Sequence, residues 1–366
     1  MLFYELDVSN VVKARVILVG VGNATSAFVQ ALKYYSEHDT SVLKYETIGG
    51  MRLEDIEIVA AYDVVKSKVN KDLSEAIFAE PNVAPKFVEF SSPLGIIVKG
   101  GPVLDGISPM LGETVEVISP PSNQDLVKEF KESKADMVVA LLPSGAKEAT
   151  YAYADAAIAA EMAFIEASPT RICSDDQWVR KFKKANLPVI GDDLQSQLGG
   201  TRIHKGLLEM LDAFGAKVKN TYQLDVSGGS EGMNTLYTDR RFEKRQIKTE
   251  SIKRVLPYLK DDDIASGTTD YLDFLGNART GYFWIYGNYM CDTPFKIDIT
   301  IKTTDGPNAA GTLVNVIRAT KIALNLGIDG PLLSVSAYGF KYPPVHVGEQ
   351  DAVKRFEEFI AGDRAD

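Results

Sequence analysis

A run of β-branched residues leads straight into two closely spaced glycines near the N-terminus, and this pattern constrains the fold more than any other feature. Residues 14–19 are typical of a buried parallel strand. Gly20 and Gly22 follow, and the apolar residues from Ala27 to Tyr35 then recur with helical spacing. The first glycine permits a tight turn, and the second lets the backbone approach a pyrophosphate at the helix N-terminus. The pattern predicts a dinucleotide site, whose loop residues are Gly20, Gly22, Asn23, Ala24 and Thr25.

An acidic residue ends the second predicted strand. Residues 56–62 lead to Asp63, whose carboxylate can accept hydrogen bonds from a ribose diol and repels a 2′-phosphate, so the pattern favours NAD over NADP. Two features are irregular, because Thr25 replaces the third glycine and Asp63 lies further along the chain than in the usual fingerprint. A tight turn in a Rossmann-like domain that binds no nucleotide is the alternative interpretation.

Strand-like and helix-like segments alternate through the first half of the chain. Residues 136–142, 163–167 and 187–190 have the composition of buried strands, and residues 147–161 and 175–185 have helical patterns. Strands that alternate with helices form parallel sheets. The predicted fold class is therefore α/β, with a Rossmann-type doubly wound parallel sheet.

The pattern changes after about residue 200. A helix over residues 201–214 and a strand over 221–226 precede a glycine-rich segment, 227–232, that we expect to be flexible. Residues 282–287 and 295–302 alternate with period two, as half-exposed antiparallel strands do. We expect a Rossmann domain over residues 1–195, an inserted α+β catalytic and tetramerisation domain over 196–305, and a return to the Rossmann domain over 306–366.

Composition excludes several classes of protein. The formal charge of −10 argues against nucleic-acid binding, so an anionic ligand has to be met by a local cluster of cations or backbone N–H groups. No apolar run approaches the roughly 20 residues of a membrane span, and the N-terminus lacks the apolar core of a signal peptide. With two cysteines there is no disulfide framework. We expect a cytoplasmic protein with neither a nucleic-acid nor a membrane partner.

Short sequence words in a fixed order carry a family resemblance. They are VGVGN at 19–23, AYDV at 61–64, DLSEAIFA at 72–79, GPVLDGI at 101–107, LPSG at 142–145, GDDL at 191–194, GPNAAG at 306–311 and AYGFK at 337–341. Together they resemble the myo-inositol-1-phosphate synthase family in its shorter prokaryotic form. The resemblance runs from about residue 14 to residue 345.

The resemblance implies both an architecture and a reaction. The family has a Rossmann domain that carries NAD and an inserted α+β domain that forms the active site and a homotetramer. It converts D-glucose 6-phosphate to 1L-myo-inositol 1-phosphate. NAD oxidises C5, a proton leaves C6, the enolate attacks C1, and the hydride is returned. The implied ligands are NAD and a sugar phosphate, with a monovalent or divalent metal ion left open and no metal ligands assigned.

The resemblance also implies roles for individual residues. Those implied to be catalytic are Lys205, Lys244, Lys248, Lys341 and Asp193. Those implied to bind the cofactor, beyond the glycine-rich loop and Asp63, are Leu142, Pro143, Ser144, Asp192, Asp305 and Asn308. Those implied to bind the substrate are Gln195, Asn234 and Arg279.

The implied reaction explains why the site needs several lysines. Each step places negative charge on a sugar oxygen, and the phosphate adds roughly two more charges. Ammonium groups stabilise such charge and can transfer protons. A basic stretch between Arg240 and Arg254 includes Lys244 and Lys248, and we interpret it as a mobile segment that closes over a sugar phosphate. The alternative is a solvated helix face.

Two departures from the family pattern leave other functions open. Gln195 stands where the family has a lysine after its Gly-Asp-Asp-x word, and the turn at residues 275–279 lacks the usual acidic residues before Arg279. A divergent oxidoreductase on another phosphorylated substrate, or a non-catalytic NAD-binding relative, is therefore an alternative to a synthase.

Overall fold

The computed structural model describes residues 13–121, 125–236 and 238–366, and for residues 238–241, 243 and 244 it describes the backbone alone. The strands of these residues are β1 (Ala14–Val19), β2 (Ile56–Asp63), β3 (Val98–Gly100), β4 (Met137–Ala140), β5 (Ala163–Glu166), β6 (Pro188–Ile190), β7 (Lys217–Ser227), β8 (Ile264–Tyr271), β9 (Ala278–Tyr289), β10 (Thr293–Thr304) and β11 (Gly330–Pro331). The helices are α1 (Asn23–Glu37), α2 (Leu73–Ala76), α3 (Pro109–Gly112), α4 (Leu126–Ser133), α5 (Lys147–Ala159), α6 (Asp176–Lys184), α7 (Gly200–Ala213), α8 (Gly229–Leu236), α9 (Thr238–Val255), α10 (Asp305–Asn325), α11 (Leu333–Gly339) and α12 (Glu349–Ala361). None of the described helices is long and apolar enough to cross a bilayer.

Seven strands form a parallel sheet in the order β11-β6-β5-β4-β1-β2-β3. The side chains of β1 alternate between two apolar clusters, since Val16 and Leu18 belong to one and Ile17 and Val19 to the other. A strand that is buried on both faces needs a continuous apolar run, which is the pattern of residues 14–19. The strand order reverses direction at β1 and β4, as in a doubly wound Rossmann sheet. The predicted fold class is confirmed.

A second sheet has four strands in the order β10-β9-β7-β8. β9 pairs antiparallel with β10 and β7, whereas β7 and β8 are parallel. On one face of this sheet Ile285 packs in a cluster with Leu208 of α7 and Ile252 of α9. The antiparallel pairing predicted for residues 282–287 and 295–302 is confirmed.

The glycine-rich segment at residues 227–232 is not the flexible loop that the sequence suggested. It contains the start of α8, and α9 follows after Leu236. A Cβ atom on Gly228 would lie 2.5 Å from the carbonyl oxygen of Gly276, and one on Gly232 would lie 2.5 Å from Ser227 Oγ. These glycines are therefore required by close packing, which the composition cannot distinguish from flexibility. The basic stretch at 240–254 likewise lies within the long helix α9.

After β10 the chain returns to the first sheet. α10 packs along α1, and β11 pairs with β6 at the edge of the sheet. Because α10 begins directly after β10, its first turn lies between the two sheets. This connection brings Asp305 beside the residues that follow β1 and β4.

Candidate active site

The glycine-rich loop has the geometry that a dinucleotide requires. Gly20 has a φ of +91°, and a Cβ atom there would lie 2.5 Å from the carbonyl oxygen of Leu141, so a larger residue does not fit. A Cβ atom on Gly22 would meet nothing within 4 Å, which leaves open space in front of the loop. Thr25 is buried and its Oγ1 donates to the carbonyl oxygen of Gly20 at 2.5 Å. Thr25 therefore braces the turn where the fingerprint usually has a third glycine.

Asp63 ends β2 and holds the glycine-rich loop directly. Its Oδ2 accepts the Val21 N–H at 2.8 Å, and its Oδ1 accepts the N–H groups of Val64 and Val65 at 2.7 and 2.8 Å. The buried Lys68 ammonium lies 3.9 Å from Oδ2 and donates to the carbonyl oxygen of Val21 at 2.9 Å. Burial lowers the pKa of Lys68, and Asp63 partly opposes this. Sequence reasoning missed Lys68, because nothing in its neighbourhood separates it from a surface lysine.

Two cavities lie between the sheets. The first, which we call the loop cavity, follows the glycine-rich loop to the end of β4 and on to α8. It is lined by every residue implied to bind the cofactor except Asp192 and Asn308: Gly20, Gly22, Asn23, Ala24, Thr25, Asp63, Leu142, Pro143, Ser144 and Asp305. The second, which we call the lysine cavity, is lined by Gln195, Gln223, Asp225, Lys248, Arg279, Asp305, Asn308 and Lys341, among others. Asp305 and Lys341 line both cavities, so the two meet there.

Lys341 is paired with Asp193 at the junction. The Lys341 ammonium lies 2.7 Å from Asp193 Oδ1, and the Lys341 backbone N–H donates to the carbonyl oxygen of Asp193 at 2.8 Å. Asp193 has a φ of +60° and is 3% exposed. The pairing joins two sequence words that are almost 150 residues apart, and it puts a cation beside both cavities.

Asp192 lies beside Asp193 in sequence but does not line either cavity. Its carboxylate accepts the N–H groups of Cys173 and Ser174 at 2.9 and 3.0 Å and the Ser174 hydroxyl at 2.6 Å. Burial raises its pKa to about 6 in spite of these hydrogen bonds. The implied cofactor contact of Asp192 stays a prediction, because its carboxylate lies against Cys173 and Ser174 and outside the lining of both cavities.

The lysine cavity contains alternating charges. The Lys248 ammonium pairs with the buried Asp225 carboxylate, and Arg279 donates to Asp305 Oδ2 at 2.8 and 2.7 Å from two of its nitrogens. Arg279 is also 3.8 Å from Asp225 Oδ2. Burial alone would raise the pKa of Asp225, but Lys248 and Arg279 outweigh it and hold that pKa below its usual range. Asp225 and Gln223 carry no recognisable motif, and sequence reasoning missed them.

Gln195 lines the lysine cavity, but Lys205 does not. The Lys205 ammonium lies 2.6 Å from Glu349 Oε1, and the Gln195 amide nitrogen donates to both oxygens of Glu349 at 3.0 Å. The expectation that Lys205 acts as a catalytic lysine lacks geometric support, because its ammonium is paired with a carboxylate outside the cavity lining. Glu349 begins α12 near the C-terminus and was missed by the sequence analysis.

α8 lies over the loop cavity. Glu231 accepts a hydrogen bond from the Ser144 hydroxyl, and Asn234 donates to the Ser144 carbonyl oxygen at 2.9 Å. Asn234 is fully buried and outside the cavity lining, so its implied substrate contact is replaced here by a contact between α8 and the LPSG turn. The backbone of Lys244 lies in α9 one turn before Lys248, and its side chain lies outside the described residues.

Comparison with known proteins agrees with this arrangement. A sequence model described as myo-inositol-1-phosphate synthase matches residues 199–306. The chain is 37% identical to inositol-3-phosphate synthase of Mycobacterium tuberculosis over 96% of each chain, and 35% identical to inositol-3-phosphate synthase of Corynebacterium glutamicum over 94% of this chain and 98% of that one. The crystal structure of a myo-inositol-1-phosphate synthase-related protein from Thermotoga maritima has a TM-score of 0.83 and 24% identity, over 95% of this chain and 98% of that one, which shows a shared fold.

Proposed function

The chain belongs to the myo-inositol-1-phosphate synthase family, and from that premise we propose that it converts D-glucose 6-phosphate to 1L-myo-inositol 1-phosphate (inositol 3-phosphate) with NAD as a recycled oxidant. The observation that carries the proposal is the junction of the two cavities at Lys341 and Asp305. A reaction in which a nicotinamide exchanges a hydride with a sugar needs a nucleotide site and a polar substrate site that share a wall.

NAD fits the loop cavity on the geometry of this chain. The open space at Gly22 and the N-terminus of α1 suit a pyrophosphate, and Asp63 Oδ2 retains acceptor capacity beside Lys68 for a ribose hydroxyl. Leu142, Pro143 and Ser144 would line the path towards the nicotinamide end, together with Asp305. When bound, NAD supplies the hydride acceptor for C5 of the substrate and the donor that returns the hydride.

The N-terminus of α7 supports binding of the substrate phosphate in the lysine cavity. Gly199, Gly200 and Thr201 line that cavity, and Gly199 caps the helix without a side-chain hydrogen bond. The first N–H groups of a helix lack partners within it and attract anions. Lys248 and Arg279 on the same cavity add positive charge, although Asp225 and Asp305 balance part of it.

Lys341 is the group that we assign to proton transfer. It borders both cavities, and Asp193 orients its ammonium. Removal of the C5 hydroxyl proton, enolisation and aldol closure each place charge on an oxygen, and a positioned ammonium can stabilise that charge and return a proton. Arg279 and Lys248 stabilise charge on neighbouring oxygens. Arg279 cannot act as a proton donor, because a guanidinium keeps its proton. Lys244 remains a proposed catalytic residue on the strength of its place on α9.

A metal ion is a further part of the proposal. Among the described side chains no group of three or more His, Cys, Asp or Glu residues could hold one. A monovalent or divalent ion would neutralise negative charge on the substrate phosphate and on charge-bearing sugar oxygens.

We propose a homotetramer in which the outer face of the second sheet is buried. Tyr222, Trp284 and Tyr286 stack on that face with ring centroids 5.7 and 5.9 Å apart, and Tyr282 beside them is 44% exposed. None of these aromatic side chains belongs to a hydrophobic core of the described residues. Contiguous exposed aromatic surface marks an interface.

The division into a Rossmann domain (1–195 with 306–366) and an inserted domain (196–305) remains part of this proposal.

Incubation of the purified protein with glucose 6-phosphate and NAD tests the proposed function. The expected product is inositol phosphate, separated by chromatography and identified by NMR, with no accumulation of NADH absorbance at steady state. Net formation of NADH would instead support an oxidoreductase on a phosphorylated substrate. NAD binding with no turnover of glucose 6-phosphate would support a non-catalytic relative.

A further inference from the structure

The side-chain amide of Gln195 is hydrogen-bonded to the carboxylate of Glu349. Glu349 in turn contacts two cationic side chains and, through its backbone N–H, another carboxylate. The Gln195 nitrogen donates to both Oε atoms of Glu349 at 3.0 Å. Glu349 lies 2.6 Å from the Lys205 ammonium and 3.7 Å from Arg202 Nε. The backbone N–H of Glu349 donates to the carboxylate of Glu209 at 3.0 Å. Gln195 and Lys205 are 1% and 6% exposed, so these two side chains of the network are shielded from water.

The network determines which way the amide faces. If the amide were reversed, its oxygen would lie at about 3 Å from two carboxylate oxygens, and lone pairs would face lone pairs. Glu349 cannot turn away without leaving the Lys205 ammonium unpaired in a buried position. The nitrogen of the amide therefore faces Glu349, whose two oxygens share one of its N–H donors.

Since the amide nitrogen of Gln195 faces Glu349, the second hydrogen-bonding atom of the side chain is its oxygen. Gln195 Oε1 is buried and has no hydrogen-bond partner among the described residues. Gln195 nevertheless lines the lysine cavity, where the cations Lys248, Arg279 and Lys341 are donors only. The two carboxylates of the cavity, Asp225 and Asp305, are already paired with Lys248 and Arg279. A sugar hydroxyl that enters this cavity needs an acceptor for its proton, and Oε1 is an acceptor whose capacity is unused.

We propose that Gln195 is a specificity-determining residue that accepts a hydrogen bond from one hydroxyl of the sugar substrate, and that Glu349 is the positioning residue that holds its amide for this purpose. This inference rests on the proposed function and specifies its substrate contact. A lysine at residue 195 could only donate a hydrogen bond, so the glutamine reverses the polarity of this contact. Lys205 stabilises the network rather than the reacting atoms.

An unfilled buried acceptor is costly, and a substrate that lacks the matching hydroxyl leaves it unfilled. The test uses glucose 6-phosphate and its 2-deoxy, 3-deoxy and 4-deoxy analogues with the NAD-loaded protein. The measurements are kcat/KM and, by calorimetry, the dissociation constant of each sugar phosphate. The wild-type protein should disfavour one analogue by about tenfold relative to glucose 6-phosphate.

Gln195→Met removes the acceptor with little change in volume and should bring that tenfold ratio close to one while leaving the ratios for the other analogues unchanged. Gln195→Lys retains a donor towards Glu349 and loses the acceptor, so it should behave in the same way. Glu349→Gln frees the Gln195 amide to turn and should reduce the ratio to an intermediate value. Glu358→Gln, a matched change on α12 outside both cavities, should leave every ratio as in the wild type.

The outcomes separate this inference from the proposed function. Glucose 6-phosphate turnover with the same analogue ratios in wild type and Gln195→Met would overturn the inference and leave the synthase proposal standing. Wild-type protein that shows no preference among the four sugars would also overturn it. Wild-type protein that binds neither glucose 6-phosphate nor any analogue would contradict both. If the Met variant fails to fold, the Lys variant and Glu349→Gln supply the same comparison.

Discussion

At the scale of single residues, the site depends on cations that are paired rather than clustered. Lys341 pairs with Asp193, Lys248 with Asp225 and Arg279 with Asp305. The first pair joins residues 148 positions apart, and the other two join residues 23 and 26 positions apart. Pairing fixes the direction of each cation, which the proposed stabilisation of charge on substrate oxygens requires. Their positions beside the cavities matter more than the number of basic residues in the 240–254 stretch.

Lys341→Ala should abolish turnover while NAD stays bound. The loss of one positioned cation at a developing oxyanion lowers the rate by about a hundredfold or more, whereas the nucleotide is held mainly by the glycine-rich loop. Turnover of glucose 6-phosphate and the NAD dissociation constant are the two measurements. Lys321→Ala is the matched control, because it removes a half-buried lysine–aspartate pair, 2.7 Å apart, that lies away from both cavities. Normal turnover in Lys341→Ala would remove it from the mechanism.

His204 links the site to the pH dependence of stability. Thr221 donates its hydroxyl proton to the Trp284 carbonyl oxygen at 2.9 Å, so His204 Nε2, at 2.6 Å from Thr221 Oγ1, carries the ring proton. Burial lowers the pKa of His204 to about 4, with Asp225 and Lys248 acting in opposite directions. The folded protein therefore holds this imidazole neutral where the unfolded chain would protonate it.

Acidification should destabilise the protein through His204. Below the unfolded pKa of about 6.5 the unfolded chain binds a proton that the folded chain does not, so stability falls as the pH decreases towards 4, by roughly 2 kcal/mol from this group at pH 5. His204→Gln keeps an N–H donor and cannot titrate in this range. Urea unfolding at pH 7.5 and pH 5 should show a smaller loss of stability in the variant than in the wild type. Equal losses would show that His204 does not contribute.

At the scale of elements, α10 connects the two parts of the site. Its first turn supplies Asp305 and Asn308, and its body carries the fully buried Arg318. The Arg318 guanidinium donates to the carbonyl oxygens of Tyr45, Glu46 and Met51 at 3.0 to 3.2 Å. Burial lowers the pKa of Arg318 to about 10, and in place of a carboxylate these backbone oxygens solvate its charge. The long segment between α1 and β2 is thus attached to α10.

Arg318→Met should lower the free energy of unfolding by about 3 kcal/mol or more, because several buried carbonyl groups lose their donor at once. Arg318→Lys retains a charge and up to three donors and should lose less. Denaturant titration with NAD present and absent measures both variants. A methionine variant as stable as the wild type would show that the carbonyl groups find water or other donors.

At the scale of the whole molecule, the second sheet has one face packed by helices and one aromatic face that is partly exposed. Cross-strand pairs place Tyr222 beside Trp284, and Asp298 of β10 lies on the same face. A half-polar, half-aromatic surface of this kind is typical of an interface between subunits. Asp225 and Arg279, which line the lysine cavity, lie on the opposite face of this sheet, so the candidate site and the proposed interface share one sheet.

Trp284→Glu should dissociate the proposed tetramer without unfolding the chain, since a buried carboxylate in an interface is costly whereas an exposed one is not. Light scattering coupled to size-exclusion chromatography measures the mass, and circular dichroism checks the fold. Phe274→Glu changes an aromatic residue that is 81% exposed and lies off the aromatic face, and it should leave the mass unchanged. A tetramer in the Trp284 variant would exclude this face as the interface.

The sequence by itself determined the central strands, the glycine-rich turn and the family. Continuous apolar runs and a glycine that must adopt positive φ are local requirements, and β1, β2, β4, β5 and α5 lie close to where their patterns predicted them. It did not reveal the two-residue strand β11 or the helix that contains the glycine-rich segment, and it left open whether the basic segment is helical. Those elements are selected by packing against distant parts of the chain.

Only the tertiary structure decided which of two adjacent aspartates faces the cavities, that Lys205 pairs with Glu349, and that Asp225 balances Lys248 and Arg279. The physical reason is that strand and helix formation depend on neighbours within a few residues. The direction of a charged side chain depends instead on which partner folding brings within hydrogen-bonding distance. Those partners lie up to about 150 residues away in this chain.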